Sequence, residues 1–245
     1  MHTKLWNRFS KVSWFLSKIE YGIIPNGLII NLICVAVRSI TYIRMSRIYH
    51  IYKKLLLFIY CTLSGMKYNS TWEINGRFYV IRPNLFLRHL KGLKGGTLSI
   101  GKQFKCNNRF TSNALGAIQP CLFNVFLEDS QIVIGNNVGI SGSTINAAQL
   151  VSIGDNTIIG SGCLITDTDS HPLLSSQRLM PDGDQFTKNA PVMIGKDVFI
   201  GARCIITKGV TIGDGAVIGA GSVVCKDIPS HVVAAGNPAR IIKAL

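Results

Sequence analysis

His171 ends the run Asp167-Thr168-Asp169-Ser170-His171 and is followed by Pro172, and it is the residue best suited to moving a proton. A neutral imidazole titrates near neutrality and can take a proton from a hydroxyl within hydrogen-bond reach. Asp169 stands two residues earlier, on the same side of the chain if the backbone is extended. A carboxylate there could orient the imidazole through its other ring nitrogen; the plainer alternative is a solvated turn aspartate. His2, His50, His89 and His231 lie towards the two ends of the chain. With His171 the sole histidine between His89 and His231, a three-histidine zinc site cannot be built on one face. The seven cysteines form no Cys-x-x-Cys pair, which argues against a zinc site or a disulfide framework and for reduced thiols. No metal is expected.

The element that must position His171 is a repeat. Ile194, Ile200, Ile206, Ile212, Ile218 and Val224 recur every six residues. Gly195, Gly201, Gly213 and Gly219 follow four of the isoleucines, and Val198, Cys204, Val210, Ala216 and Ser222 come four positions after an aliphatic. The same phase runs through Ile134 and Ile140, then through Ile153, Ile159 and Ile165, with first traces at Ile100 and Cys106. A period of six makes each unit one short strand plus a corner, and three units make a triangular turn. The aliphatics point inward and stack at the spacing of sheet strands, about 4.8 Å. The small residue four later fills a cramped corner, so Cys163 and Cys204 read as core residues. Gly135-Asn136-Asn137 and Gly154-Asp155-Asn156 supply tight turns. The phase is lost between Ile165 and Ile194, and His171 stands at the start of that interruption. Insertions in a solenoid are loops, and loops carry function.

These motifs resemble the hexapeptide-repeat acyltransferases, over about residues 95–245. The most specific stretch runs from Ile200-Gly-Ala-Arg-Cys through Val224-Cys-Lys-Asp-Ile-Pro229 and closes with Ala235-Gly-Asn-Pro-Ala-Arg240. It is similar to the branch of sugar O-acetyltransferases that acts on galactosides, maltose and capsular polysaccharide. The α-helical N-terminal segment lies outside the match and is read from its own residue pattern; the resemblance implies a mainly β fold, a left-handed parallel β-helix. It implies that His171 is the catalytic base and that acetyl-CoA is the donor substrate. It further implies a homotrimer whose active sites lie between subunits. Gly201, Ala202, Gly219 and Ala220 would wall the pantetheine arm, with Cys225 in place of a commoner Thr. Lys226 and Arg240 would meet the phosphates, and Lys208 is a further candidate for them. Related enzymes hold their acceptor with an Asn one coil before the His. Here Gly142 falls at that place and Asn146 lies out of register, which favours a glycan or lipid-linked glycan acceptor over a free disaccharide. On the interruption itself, Arg178, Asp182 and Asp184 either contact the acceptor or stand exposed.

Charge divides the chain. Residues 1–110 carry 18 Lys/Arg against Glu20 and Glu73, a net of +16, whereas residues 111–245 carry a net of −2. No nucleic-acid-binding signature accompanies the basic half. Leu5, Phe9, Val12, Leu16 and Ile19 form an apolar stripe beside Lys4, Arg8, Lys11 and Lys18, the pattern of a basic amphipathic helix. A second helical stretch extends from Leu28 to about Leu63. These helices either lie on an anionic membrane surface or pack on the protein or a neighbouring subunit. The apolar run from Ile23 to Val37 is interrupted by Pro25, Asn26, Gly27 and Asn31, short of a membrane span. Residues 1–69 are therefore expected as a basic helical segment, and 70–245 as the β-helix with an extruded loop over about 171–191. The expected location is cytoplasmic, with peripheral contact at the inner membrane face. Two other functions stay open: N-acetylation of a nucleotide-linked amino sugar, and a non-catalytic β-helix scaffold.

Overall fold

The computed structural model describes residues 51–52, 54–55, 58–59, 69–75, 79–81 and 96–245. The chain divides into two units, Met1–Tyr60 and Cys61–Leu245. The expected helix over residues 4–19 and most of the second one lie outside the described residues; the described positions between 51 and 59 are helical. Among the described residues no helix is long and apolar enough to cross a membrane.

The second unit is a left-handed parallel β-helix, the coil that the repeat implies with the hand that the resemblance implies. Its strands build three sheets of eight, six and five strands among the described residues. The chain visits them in rotation. Gly139–Ser141 lies in the first sheet, Thr144–Ala147 in the second and Leu150–Ile153 in the third, and Ile158–Ser161 then returns to the first beside Gly139–Ser141. Register follows the hexapeptide phase. Ile165 pairs with Ile206, and Ile206 with Val224, in the second sheet. Ile153 pairs with Ile194, and Ile194 with Ile212, in the third.

These aliphatics form the core, and Ile165, Ile200, Ile206, Ile218 and Val224 are completely buried. The residues four positions on, Val198, Cys204, Val210, Ala216 and Ser222, are buried at the corners as expected. The turn residues do more than bend the chain. Asn137, Asn156 and Asp197 each take a positive φ, near 55° to 60°. Their side chains form a ladder, Asn137 Nδ2 donating to Asn156 Oδ1 at 3.0 Å and Asn156 Nδ2 to Asp197 Oδ1 at 2.9 Å.

The coil begins earlier than its sequence signature. Glu73–Asn75 and Tyr79–Ile81 already pair in parallel with Lys105–Asn107 and Leu122–Val125. This end is filled by aromatic rings rather than isoleucine. Trp72 meets Phe104 edge-on at 6.1 Å, Phe104 meets Phe123 at 6.2 Å, and the Trp72 indole N–H donates to the Gly101 carbonyl. At the other end Val232–Gly236 continues the first sheet, and Ala239–Ala244 folds back on it antiparallel.

Candidate active site

The strand Leu164–Thr166 of the second sheet ends just before Asp167, and the chain re-enters the third sheet at Val192–Ile194. The 25 residues between are the extruded loop. Its two ends form a neck: Ala190 N donates to the Asp167 carbonyl at 2.8 Å, Thr168 and Asn189 make an antiparallel bridge, and Asp169 N donates to the Lys188 carbonyl. Below the neck, Gly209 N donates to the Ala190 carbonyl, which rests the returning strand on the next coil. The chain turns at Ser170, which takes a φ of 64° with its N–H held by Thr168 Oγ1. His171 follows and is exposed, whereas Pro172 is buried. Beyond it the loop ties itself together. The Arg178 guanidinium donates to the carbonyls of Pro172 and Leu173, so this side chain serves the loop's own backbone. Asp182 and Asp184 are exposed on the outer part of the loop.

The two aspartates of the run have different tasks. Asp167 is completely buried, and its carboxylate accepts the N–H groups of Ala148, Gln149 and Leu150, each at 2.7 Å. It clamps the neck to the corner of the preceding coil, and nothing in its sequence context announces that role. Asp169 Oδ1 pairs with the Lys208 ammonium at 2.8 Å, while Oδ2 is buried without a hydrogen-bond partner. No hydrogen bond joins Asp169 to His171 among the described residues. The spacing of two thus brings a carboxylate and an imidazole to one neck, with the carboxylate held from the neighbouring coil.

Apart from Arg240, the remaining expected site residues fall on two edges of the prism. Asp167, Lys208 and Lys226 each stand two places past the paired core positions Ile165, Ile206 and Val224, so they share the edge between the second and third sheets. Cys225 and Lys226 are exposed there. Gly201, Ala202, Gly219 and Ala220 follow Ile200 and Ile218, on the edge between the first and second sheets. A Cβ on Gly201 would meet the Ala220 backbone nitrogen at 2.5 Å, and one on Gly219 the Ala235 Cβ at 2.8 Å. Close stacking of coils therefore accounts for both glycines without any ligand. Ala202 is half-buried and Ala220 exposed, so a smooth outer wall remains at this edge. Arg240 is exposed on the terminal antiparallel strand. Between the two edges lies the outer surface of the second sheet, where Thr144, Leu164, Ile205 and Val223 form one column. Each face is six residues long, so its two edges lie no more than about 20 Å apart.

Cys163 and Cys204 are buried one above the other at the edge between the first and second sheets, each thiol donating to a glycine carbonyl at 3.1 Å. A hydrogen bond with the Cys204 thiol, and then burial, push the Cys163 thiol well up from its ordinary range. Both are packing residues, as the repeat implies. Among the described residues no group of three or more His, Cys, Asp or Glu side chains could hold a metal ion.

Comparison with known proteins agrees with the repeat. Residues 191–226 match the family described as the hexapeptide repeat of succinyl-transferase. The galactoside O-acetyltransferase of Escherichia coli strain K12 is 42% identical over 129 residues, which are 52% of this chain and 60% of that protein. Among solved structures, a galactoside acetyltransferase in complex with coenzyme A overlaps at a TM-score of 0.46 and 34% identity, covering 60% of this chain and 65% of the other. A maltose O-acetyltransferase from Clostridium difficile 630 overlaps at a TM-score of 0.42 and 28% identity, covering 66% of this chain and 78% of the other. The chain thus spans about three fifths of the curated relative's length.

Proposed function

We infer that this chain, through its kinship with the hexapeptide-repeat acetyltransferases, moves an acetyl group from acetyl-CoA to a hydroxyl of a cell-surface glycan or of its lipid-linked precursor. The observation that carries this reading is the neck. It presents His171 exposed at a prism edge that continues, two coils on, into the exposed pair Cys225–Lys226.

In this reading His171 takes the proton of the acceptor hydroxyl as its oxygen attacks the thioester carbonyl. The C–O bond forms, and the carbonyl oxygen becomes an oxyanion held by a backbone N–H. The tetrahedral intermediate then expels the CoA thiolate, which takes the proton back from the imidazolium. Asp169 supports the imidazole from the neck. The donor suits the surroundings. Ala202 and Ala220 leave room for the flat pantetheine arm, Cys225 lies beside its path, and Lys226 and Arg240 carry the cations its phosphates require.

Assembly belongs to the same reading. The pantetheine wall lies on one edge of the prism and His171 on another, with an apolar face between them on which Leu164 and Ile205 are more than a third exposed. A homotrimer in which that face meets a neighbouring copy would bring the wall of one subunit to the imidazole of the next and bury apolar surface. We place the enzyme at the cytoplasmic face of the inner membrane, where the basic segment 1–69 would meet anionic lipid.

The test is a screen of glycan acceptors with acetyl-CoA, reading CoA release and analysing the product. An alkali-labile ester with CoA released in equal amount is the expected result. A stable amide would assign the enzyme to amino-sugar N-acetylation. Absence of CoA binding would leave a scaffold and overturn the reading.

A further inference from the structure

From sequence, Lys208 is a candidate for the donor's phosphates. In the structure its ammonium is already engaged, 2.8 Å from Asp169 Oδ1, with side-chain exposures of only 28% and 19% for the two partners. The pair joins parts of the chain 39 positions apart in number, the entry of the extruded loop and the corner of the following coil. The returning end of the loop is bound to that same corner, since Gly209 N donates to the Ala190 carbonyl at 2.9 Å. One residue, Ser170, separates Asp169 from His171, and it is fixed in a left-handed conformation. Asp169 Oδ2 is meanwhile buried and accepts no hydrogen bond. A buried oxygen in that state calls for a donor. Among the groups at the neck, the one that gains an N–H during the proposed reaction is the His171 imidazole.

We propose that Lys208 is a positioning residue of the transfer reaction, holding the Asp169 carboxylate at the neck so that Oδ2 is ready to accept from the His171 imidazolium. The inference rests on His171 being the base. It assigns Lys208 to the proton-transfer step and not to donor binding. The ammonium holds one carboxylate oxygen, and the other is left for the ring. The coil on which Lys208 sits is rigid core, with Ile206 and Val210 buried on either side. Its reach therefore sets where the neck can stand.

The experiment uses the full chain with Lys208→Met, Lys208→Arg, Asp169→Asn and the Lys208→Met/Asp169→Asn double change. Steady-state CoA release is followed with the acceptor identified by the screen, and CoA affinity is measured by calorimetry. Lys208→Met should lower kcat tenfold or more and leave the KM for acetyl-CoA and the Kd for CoA within twofold. Lys208→Arg should recover most of the rate. The double variant should be no slower than the slower single variant, because the two side chains act as one unit. A raised KM for acetyl-CoA with kcat unchanged would make Lys208 a phosphate ligand and overturn the proposal, as would losses that multiply. Amide exchange supplies a readout that needs no turnover: in Lys208→Met the hydrogen-bonded amides of Asp169, Ser170 and Ala190 should exchange faster, and unchanged protection there refutes the pairing role. Equal turnover by His171→Ala and the unaltered chain would instead defeat the assignment of the base, separately from the exchange result.

Discussion

The Asp167 carboxylate accepts the backbone N–H of Leu150 at 2.7 Å, tying the first residue of the extruded loop to the first residue of a strand in the coil before it. The same carboxylate serves Ala148 and Gln149. Removing it strands three N–H groups in a corner where Ala148 is itself buried. Each buried group left unpaired costs about 1–3 kcal/mol. Of the three, only the Ala148 bond is fully buried, so Asp167→Ala should lower unfolding stability by about 1–3 kcal/mol, measured by denaturant titration, and loosen the neck as well. Asp167→Asn keeps one acceptor oxygen and should fall in between.

His171 is exposed and accepts or donates no hydrogen bond among the described residues, so its loss should leave the fold untouched. His171→Ala should reduce kcat by about 10² to 10⁴-fold, the range for a general base. CoA affinity and melting temperature should stay as they are. A variant that melts early would mark the residue as structural.

Two glycines separate packing from ligand binding. Gly201 has the Ala220 backbone nitrogen 2.5 Å from the place of its absent Cβ, whereas Gly139 has nothing within 4 Å. Gly201→Ala forces two coils apart and should destabilise the protein with or without CoA. Gly139→Ala should be neutral or stabilise by about 0.4–1 kcal/mol through the unfolded chain. Thermal melts of both variants, in the presence and absence of CoA, check the contrast.

Asp155 supplies a prediction for acid. The backbone N–H of Asn136, 2.7 Å from its Oδ1, and then the Asn136 side chain hold its carboxyl below the usual range. A carboxyl whose folded value is depressed stabilises the fold above its unfolded value, about 3.9. That contribution fades as pH falls through the folded value. Asp155→Asn should thus be less stable than the parent at neutral pH and converge with it in strong acid. Urea midpoints at pH 7 and at about pH 2 test this, and a gap that widens in acid would contradict it.

Much of the fold was legible because inward residues repeat. Ile194 to Val224 carry one phase, and each occupies the core position that phase assigns. The interruption after Ile165 was legible for the same reason, and it marked the loop and His171. The start of the β-helix near residue 70 was expected, but its first coil carries no hexapeptide phase, since Trp72, Phe104 and Phe123 fill its interior with rings. The partners of Asp167 and Lys208 were hidden too, because both depend on which corners lie one coil apart. Lys208 stands two places past Ile206 as Asp167 stands two past Ile165, and those two isoleucines are paired across adjacent coils. That relation is a property of stacking and not of nearby residues.

The reversal of the last strand has a consequence for solubility. A stack of parallel strands ends in a row of open N–H and C=O groups, a template on which a strand from another molecule could add. Ala239–Ala244 occupies that row in the opposite direction and carries Lys243 at its outer end. With its polarity inverted and a charge near its end, this strand opposes head-to-tail strand addition on the first of the three sheets.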